Sequence, residues 1–224
     1  MQTEHILLLV ASFWVWFQVK RAIPSPKFHL ATAIFTVLEV ALAYTGFFQE
    51  INRQPVRMAL LLGPGIAFTI WLFMTHSGRV WRSNWRTDAI VLVHVARLPV
   101  EFMLLELALS GLVPFAMTMK GYNFDVISGL TAPLAYFLYL NYRKDKIFVV
   151  FKYWNWICLI LLGIVVITGI LSAPTPFQML NLDQPNKGIL MAPFNLLPAW
   201  IVPWVLISHL HALNLKDKRT KTER

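Results

Sequence analysis

Three ionisable side chains recur at helical spacing within one long apolar stretch: His94, Arg97 and Glu101. In an α-helix, positions three, four and seven apart share a face, so these side chains would lie together. Arg97 and Glu101 are four positions apart, which is the spacing of an intrahelical ion pair. An ionisable group in hydrocarbon costs on the order of several kcal/mol unless it is paired or hydrated. We therefore interpret this face as a candidate site, in which Arg97 holds an anionic group or tunes nearby carboxyl groups.

A second polar face lies earlier in the sequence and ends at Glu39. This residue follows a histidine and two threonines at spacings of three or four, so all four share one face of a helix. Glu39 and Glu101 are expected at similar depths, where they could pair across Arg97. Two carboxyl groups at close range share a proton, which makes one of them a general acid or base. The sequence therefore predicts Glu39, Arg97 and Glu101 as catalytic residues, while a structural ion pair is the alternative for the last two.

Histidines supply a second candidate chemistry. His94 and His209 are predicted near the same end of two different helices, and neutral imidazole nitrogens can bind a divalent metal ion. A hydrated histidine at a membrane interface is the alternative for each. Three further polar residues are predicted to be buried: Glu106, Asn155 and Asn195. Asp125, or Asn123 before it, is expected to cap the helix that follows.

The composition indicates which kind of protein must position these residues. Of the 224 residues, 57% are hydrophobic and only 14% are charged, whereas a soluble domain is about 25% charged. This balance excludes an ordinary soluble globule, a disordered chain and a fibrous repeat, and it predicts a polytopic membrane protein. One cysteine, Cys158, is too few for a disulfide framework, an iron–sulfur cluster or a cysteine-type zinc site.

Seven apolar segments account for most of the chain. A membrane-spanning helix needs about 20 mostly apolar residues. The candidates are Glu4–Phe17, Phe28–Phe48, Arg57–Met74, Asp88–Val113, Phe124–Tyr142, Phe148–Leu171 and Ile189–Ala212. The predicted fold is all-α: a single seven-helix transmembrane domain over residues 1–215, followed by a basic tail over residues 216–224. The first segment is the shortest, and a signal-peptide core is its alternative interpretation.

The positive charges indicate how such a bundle would be oriented. The net charge is +9, and most of the 20 Lys and Arg residues fall in alternate connections between the apolar segments and in the tail. By the positive-inside rule, this pattern predicts an outside N-terminus and a cytoplasmic C-terminus. We expect integration into a bacterial cytoplasmic membrane, and contact with anionic lipids rather than with nucleic acid.

The predicted topology is similar to that of microbial rhodopsins, whose retinal is bound by a lysine in the seventh helix. The segment Ile189–Ala212 contains no lysine, so no retinal is expected. The topology is also similar to that of zinc hydrolases of the alkaline ceramidase type, although His209 and His211 do not match the paired seventh-helix histidines of that family. Glu39 distantly resembles the intramembrane carboxylate acid of small seven-helix terpene cyclases.

These observations leave three kinds of function open. A membrane-embedded enzyme would act on a lipid or isoprenoid substrate by acid–base or metal chemistry at the residues described above. A small transporter or proton-coupled carrier of a small-molecule ligand is the alternative, because Pro193, Pro198 and Pro203 would interrupt the seventh segment beside intramembrane charges. A sensor or an assembly subunit is the third.

Overall fold

The computed structural model describes residues 3–50, 56–141 and 145–215, and these residues form helices joined by turns, without a β-strand. The prediction of an all-α chain is therefore confirmed. In chain order the α-helices of the described residues are α1 (Thr3–Ala22), α2 (Pro26–Tyr44), α3 (Val56–Met74), α4 (His76–Ser83), α5 (Thr87–Val91), α6 (Arg97–Leu109), α7 (Val126–Leu140), α8 (Asp145–Leu171) and α9 (Val202–Leu213). The predicted basic tail, 216–224, lies outside the described residues.

Within the described part of the chain, three helices are long and apolar enough to cross a membrane, over Pro26–Tyr44, Arg57–Met74 and Lys146–Leu171. Their outer surfaces carry exposed apolar side chains, such as Val37 of α2 and Ile157 of α8. Exposing that surface to water is unfavourable, whereas exposing it to hydrocarbon is not. The structure thus supports a membrane protein, while the seven-helix count and the orientation stay predictions.

The first helix, α1, packs against the chain segment that carries His94, Arg97 and Glu101. α1 buries Leu8, Val15 and Val19 on one stripe, and this stripe packs against α6. The indole Nε1 of Trp14 donates a hydrogen bond to the backbone oxygen of Leu92, 2.8 Å away. Both contacts hold the chain segment that carries the candidate site.

The fourth apolar segment changes its helical geometry partway along. After α5 the chain winds as a 3₁₀ helix over Leu92–Ala96 and returns to α-helical geometry at Arg97. Pro99 accounts for this change, since proline has no N–H for the backbone oxygen of Val95 and its ring crowds that oxygen. With three residues per turn, a 3₁₀ helix aligns residues that are three apart. His94 and Arg97 are therefore brought to the same side.

The last apolar segment is interrupted, as its prolines predict. The chain forms a 3₁₀ turn over Gly188–Leu190, then a π-helical turn over Leu197–Ile201, and only then the regular helix α9. Each proline removes a backbone donor, so carbonyl oxygens of this segment need other partners. The π-helical turn packs against α1, α2 and α3.

Two glycines of α3 give a matched test of this packing. A Cβ atom on Gly65 would collide with the ring of Pro203, whereas a Cβ on Gly63 would meet no heavy atom within 4 Å. Alanine in a helix interior is otherwise favoured over glycine by about 0.5–1 kcal/mol. We therefore expect Gly63→Ala to be neutral or stabilising, and Gly65→Ala to lower the free energy of unfolding by about 1–3 kcal/mol. Thermal unfolding of both variants in detergent measures the difference, and equal midpoints would contradict the close approach of α3 and α9.

Candidate functional site

A buried ion pair joins α6 to the start of α7. The guanidinium Nη1 of Arg97 lies 2.8 Å from Asp125 Oδ1, and the exposed fractions of the two side chains are only 4% and 11%. Arg97 is paired with Asp125 rather than with Glu101, so the predicted pairing of Arg97 with Glu101 is wrong. The predicted capping role of Asp125 is also wrong, because its side chain makes no capping hydrogen bond and faces Arg97. Gly129 allows α7 to lie close to α6, because a Cβ atom at this position would be only 3.1 Å from the Cβ of Arg97, which is too close for ordinary van der Waals contact.

The connection that follows α6 encloses the carboxyl group of Glu101. Its Oε1 accepts a short hydrogen bond from the backbone N–H of Met119, and its Oε2 accepts one from Asn123 Nδ2 at 2.5 Å. Asn123 also donates to the backbone oxygen of Met117 at 2.9 Å, and its Oδ1 accepts the N–H of Asp125 at 2.9 Å. Asn123 thus links Glu101 to Asp125, so the two carboxyl groups belong to one cluster.

An apolar cavity of about 80 Å³ ends on this cluster. Its apolar walls include side chains of α3, α8 and α9, and its polar lining consists of Arg97, Glu101, Asn123, Asp125 and Asn186. Arg97 Nε and Asn186 Oδ1 are buried atoms without a hydrogen-bond partner among the described residues. Buried polar atoms are rarely left unpaired. Within the described part of the chain, the polar end of the cavity therefore carries one unpaired donor, Arg97 Nε, and one unpaired acceptor, Asn186 Oδ1.

A second apolar cavity, of about 210 Å³, adjoins the first. It lies between α3, α8 and α9, and the lining residues that both cavities share include Leu62, Leu162, Val166 and Pro198. Ile66, which also lines the second cavity, is 51% exposed, so part of this cavity's wall belongs to a residue at the outer surface. We call the two adjoining cavities together the apolar cleft, which lies between two membrane-length helices, α3 and α8, and the cluster of Arg97, Glu101 and Asp125 (the Arg97 cluster).

Arg97 also reaches a buried chain of hydrogen bonds on its other side. Its Nη2 donates to His209 Nε2 at 3.1 Å, and His209 Nδ1 donates to Asn155 Oδ1 at 3.0 Å. These directions follow from the chemistry, because a guanidinium only donates and the amide nitrogen of Asn155 already donates to the backbone oxygen of Phe151 at 2.9 Å. His209 is thus fixed as the neutral tautomer that carries its proton on Nδ1.

His94 stacks on His209, with the ring centroids 4.0 Å apart. Its Nε2 donates to Ser208 Oγ at 2.9 Å, since the Ser208 hydroxyl itself donates to the backbone oxygen of Ile90 at 2.8 Å. Both nitrogens of His209 are engaged, and a metal ion on this pair would lie beside the Arg97 cation. Among the residues that the structure describes, no group of three or more His, Cys, Asp or Glu side chains could hold a metal ion. The geometry gives no support to the predicted metal site at His94 and His209.

The structure separates Glu39 from the other predicted catalytic residues. Glu39 is buried in α2, but it does not line the cavity that Arg97 and Glu101 share. Its backbone oxygen accepts a hydrogen bond from Asn195 Nδ2 at 3.0 Å, while its carboxyl Oε2 has no hydrogen-bond partner within the described part of the chain. The predicted carboxylate pair across Arg97 is therefore not formed, because α2 packs on the π-helical turn.

The remaining predicted residues differ in burial. Asn155 and Asn195 are 1% and 0% exposed. Glu106 is exposed, so the prediction that it is buried is wrong. It follows Glu101 by five positions, which turns it about 140° away from the buried face of α6. Asn186, which lines the cavity, is not among the predicted site residues. It lies in a connection between helices, where no helical spacing relates it to the other polar residues.

The fold and the site define a class: an all-helical protein with helices of membrane-spanning length and a polar cluster at the end of an apolar cleft. Comparison of the chain with protein-family models, with curated proteins and with solved structures found no match. The function therefore has to be inferred from the chemistry of the site.

Proposed function

We propose that the protein is a membrane-embedded enzyme that acts on a lipid-soluble substrate through acid–base chemistry at Glu101. The observation that supports this most directly is the apolar cleft that ends on Arg97, Asp125 and Glu101. A lipid or an isoprenoid would place its tail in the cleft and its polar head against the cluster. Charged groups act strongly on a substrate in such a cavity, because hydrocarbon does not screen them.

The charges at the polar end favour an uncharged head group. The cluster contains two carboxyl groups, those of Glu101 and Asp125, and one cation, Arg97. An anionic head would therefore meet a site that is neutral or negative, whichever form Glu101 takes. A hydroxyl group can donate to a carboxyl oxygen or to Asn186 Oδ1, and it can accept from Arg97 Nε. A lipid alcohol fits these demands best.

Each ionisable residue has a distinct role in this proposal. Asp125 is bound to the Arg97 cation, whereas the two oxygens of Glu101 accept hydrogen bonds from neutral N–H groups. Glu101 is therefore the carboxyl group that we assign to proton transfer to or from the head group. Asp125 and His209 hold the Arg97 guanidinium from two sides, at 2.8 and 3.1 Å. A guanidinium held in this way can orient the head group without having to rearrange during the reaction.

The seven-helix arrangement and the orientation belong to the same proposal. Arg21 near the end of α1 lies 3.7 Å from Asp88 of α5, and Arg82 of α4 lies 3.4 Å from His211 near the end of α9. Basic residues that the sequence assigns to the cytoplasmic side are thus gathered at one end of the described structure. Their clustering supports insertion into a cytoplasmic membrane with this end inside.

A proton-coupled carrier is the second candidate, and the broken segment before α9 favours it. Glu39 Oε2 and Asn195 Oδ1 are buried atoms without hydrogen-bond partners among the described residues, and Asn195 joins this segment to α2. Buried polar groups beside an interrupted helix are typical of transport sites. Reconstitution into liposomes with an imposed pH gradient tests this candidate. Solute accumulation that Glu39→Gln abolishes would replace the enzyme proposal.

The enzyme proposal is tested by incubating the purified protein in nanodiscs made from a total lipid extract. The incubation is run with and without the small molecules of a cell extract, and the lipids are compared by mass spectrometry. We expect one lipid alcohol to be consumed while a new lipid accumulates with time and with protein concentration. No change in any lipid, in the presence of folded protein, would contradict an enzymatic function.

A further inference from the structure

A buried arginine beyond the end of α3 has no carboxylate partner among the residues that the structure describes. Arg82 of α4 is 9% exposed, and among the described residues it makes no ion pair. Its Nη1 donates to His211 Nδ1 at 3.4 Å, and its guanidinium carbon lies 4.2 Å from the centre of the Phe73 ring. Arginine is rarely buried to this extent unless it is paired. The unpaired charge therefore calls for a counterion.

The charges around Arg82 increase this imbalance. Arg79 precedes it by three positions on α4 and is exposed. Asp88, the acidic residue of the next helix, is already paired with Arg86 at 2.9 Å and with Arg21 at 3.7 Å. Burial lowers the pKa of Arg82, and the positive charge of Arg79 lowers it further. The described side chains around α4 thus leave an excess of positive charge.

α4 has the features of a helix that lies along a membrane surface. It follows the membrane-length helix α3 after one residue, Thr75, whose hydroxyl caps α4 by accepting the N–H of Gly78 at 3.0 Å. Gly78 lies so close to the backbone of Leu72 that any Cβ there would collide with it, which makes the turn sharp. Met74 and Val80 expose apolar side chains beside the basic ones. This mixture is typical of helices at the level of the lipid head groups.

We propose that Arg82 and Arg79 bind the phosphate of an anionic phospholipid at the surface of α4. A guanidinium fork matches phosphate oxygens, and a buried guanidinium without a carboxylate partner gains a counterion in this way. The phosphate comes from a lipid rather than from solution, because the exposed apolar side chains beside α4 offer contact to acyl chains. The site lies apart from the cleft, so it stands or falls independently of the proposed enzymatic function.

The experiment measures thermal unfolding of delipidated protein in a nonionic detergent. Dioleoylphosphatidylglycerol is expected to raise the midpoint by on the order of 5 °C more than dioleoylphosphatidylcholine does. Arg82→Gln should abolish this difference. Arg86→Gln is the matched control and should retain it, because the Arg86 side chain is 60% exposed and is paired with Asp88. Arg79→Gln, at an exposed position, should retain the fold and reduce the difference by about half.

Three results would overturn the proposal. One is an equal effect of the two lipids on the wild-type protein, which needs no variant to fold. Another is a preference for phosphatidylglycerol that persists in both Arg82→Gln and Arg79→Gln. The third is an equal rise with inorganic phosphate alone, which would assign the site to a soluble phosphate. Native mass spectrometry of the wild-type protein gives the number of lipid molecules bound to each protein molecule, and we expect phosphatidylglycerol to be retained preferentially over phosphatidylcholine.

Discussion

Glu101→Gln is expected to reduce turnover of the lipid substrate by a factor of about 10²–10⁴, the range that general acid–base catalysis contributes. The amide keeps the size of the side chain but does not transfer a proton at neutral pH. It also turns a donor toward Met119 or Asn123, which donate to the two carboxyl oxygens. The free energy of unfolding should therefore fall by about 1–3 kcal/mol. Initial rates and thermal unfolding are measured on the same samples.

Glu106→Gln is the matched control for this variant. It makes the same chemical change five positions later on the same helix, but at an exposed position. We expect its stability to change by no more than about 0.5 kcal/mol, and its turnover to stay close to that of the wild type. Full activity in Glu101→Gln would show that Glu101 is not the acid or base. An equal loss in both variants would indicate a general effect of charge on α6.

Breaking the buried ion pair is expected to have the largest effect on stability. Asp125→Leu leaves the Arg97 charge buried without its partner, and Arg97→Met does the same to Asp125. Either change should lower the free energy of unfolding by about 3–5 kcal/mol, because an uncompensated charge remains in apolar surroundings. The double variant removes both charges and should recover most of the loss. Unfolding of all three variants in mixed detergent micelles gives the coupling energy.

The double variant also separates structure from function. If Arg97 orients the head group, a stable double variant should bind substrate weakly and show a raised KM as well as a lowered kcat. Simple addition of the two single losses would contradict the ion pair. Normal kinetics in the double variant would limit Arg97 to a structural role.

The residues of the site differ in how well their spacing reveals them. Arg97 and Glu101 are conspicuous in the sequence, because ionisable groups are rare in an apolar stretch and these two share a helical face. Asp125 stands at a helix start, where capping is the ordinary role of aspartate. The close approach of α7 to α6 at Gly129 places Asp125 beside Arg97. A contact between residues of two different helices produces no regular spacing in the sequence, so spacing alone does not predict it.

Depth along a helix is harder to predict than the existence of the helix. The pairing of Glu39 with Glu101 assumes straight helices side by side. The 3₁₀ helix over Leu92–Ala96 and the π-helical turn over Leu197–Ile201 change both the rise and the rotation of the chain. Composition is enough to predict apolar helices, whereas the level at which two side chains meet depends on these local breaks.

Photo-crosslinking tests most directly whether the cleft holds a lipid tail with its head at the Arg97 cluster. A long-chain alcohol with a diazirine in its chain would be activated in nanodiscs, and the labelled peptides would be identified by mass spectrometry. We expect labels on the cleft-lining residues Leu62, Leu162 and Val166. Excess unlabelled alcohol should suppress them, and a fatty acid of the same length should not. Labelling confined to outward-facing residues such as Val37 and Ile157, unchanged by either competitor, would contradict a lipid site in the cleft.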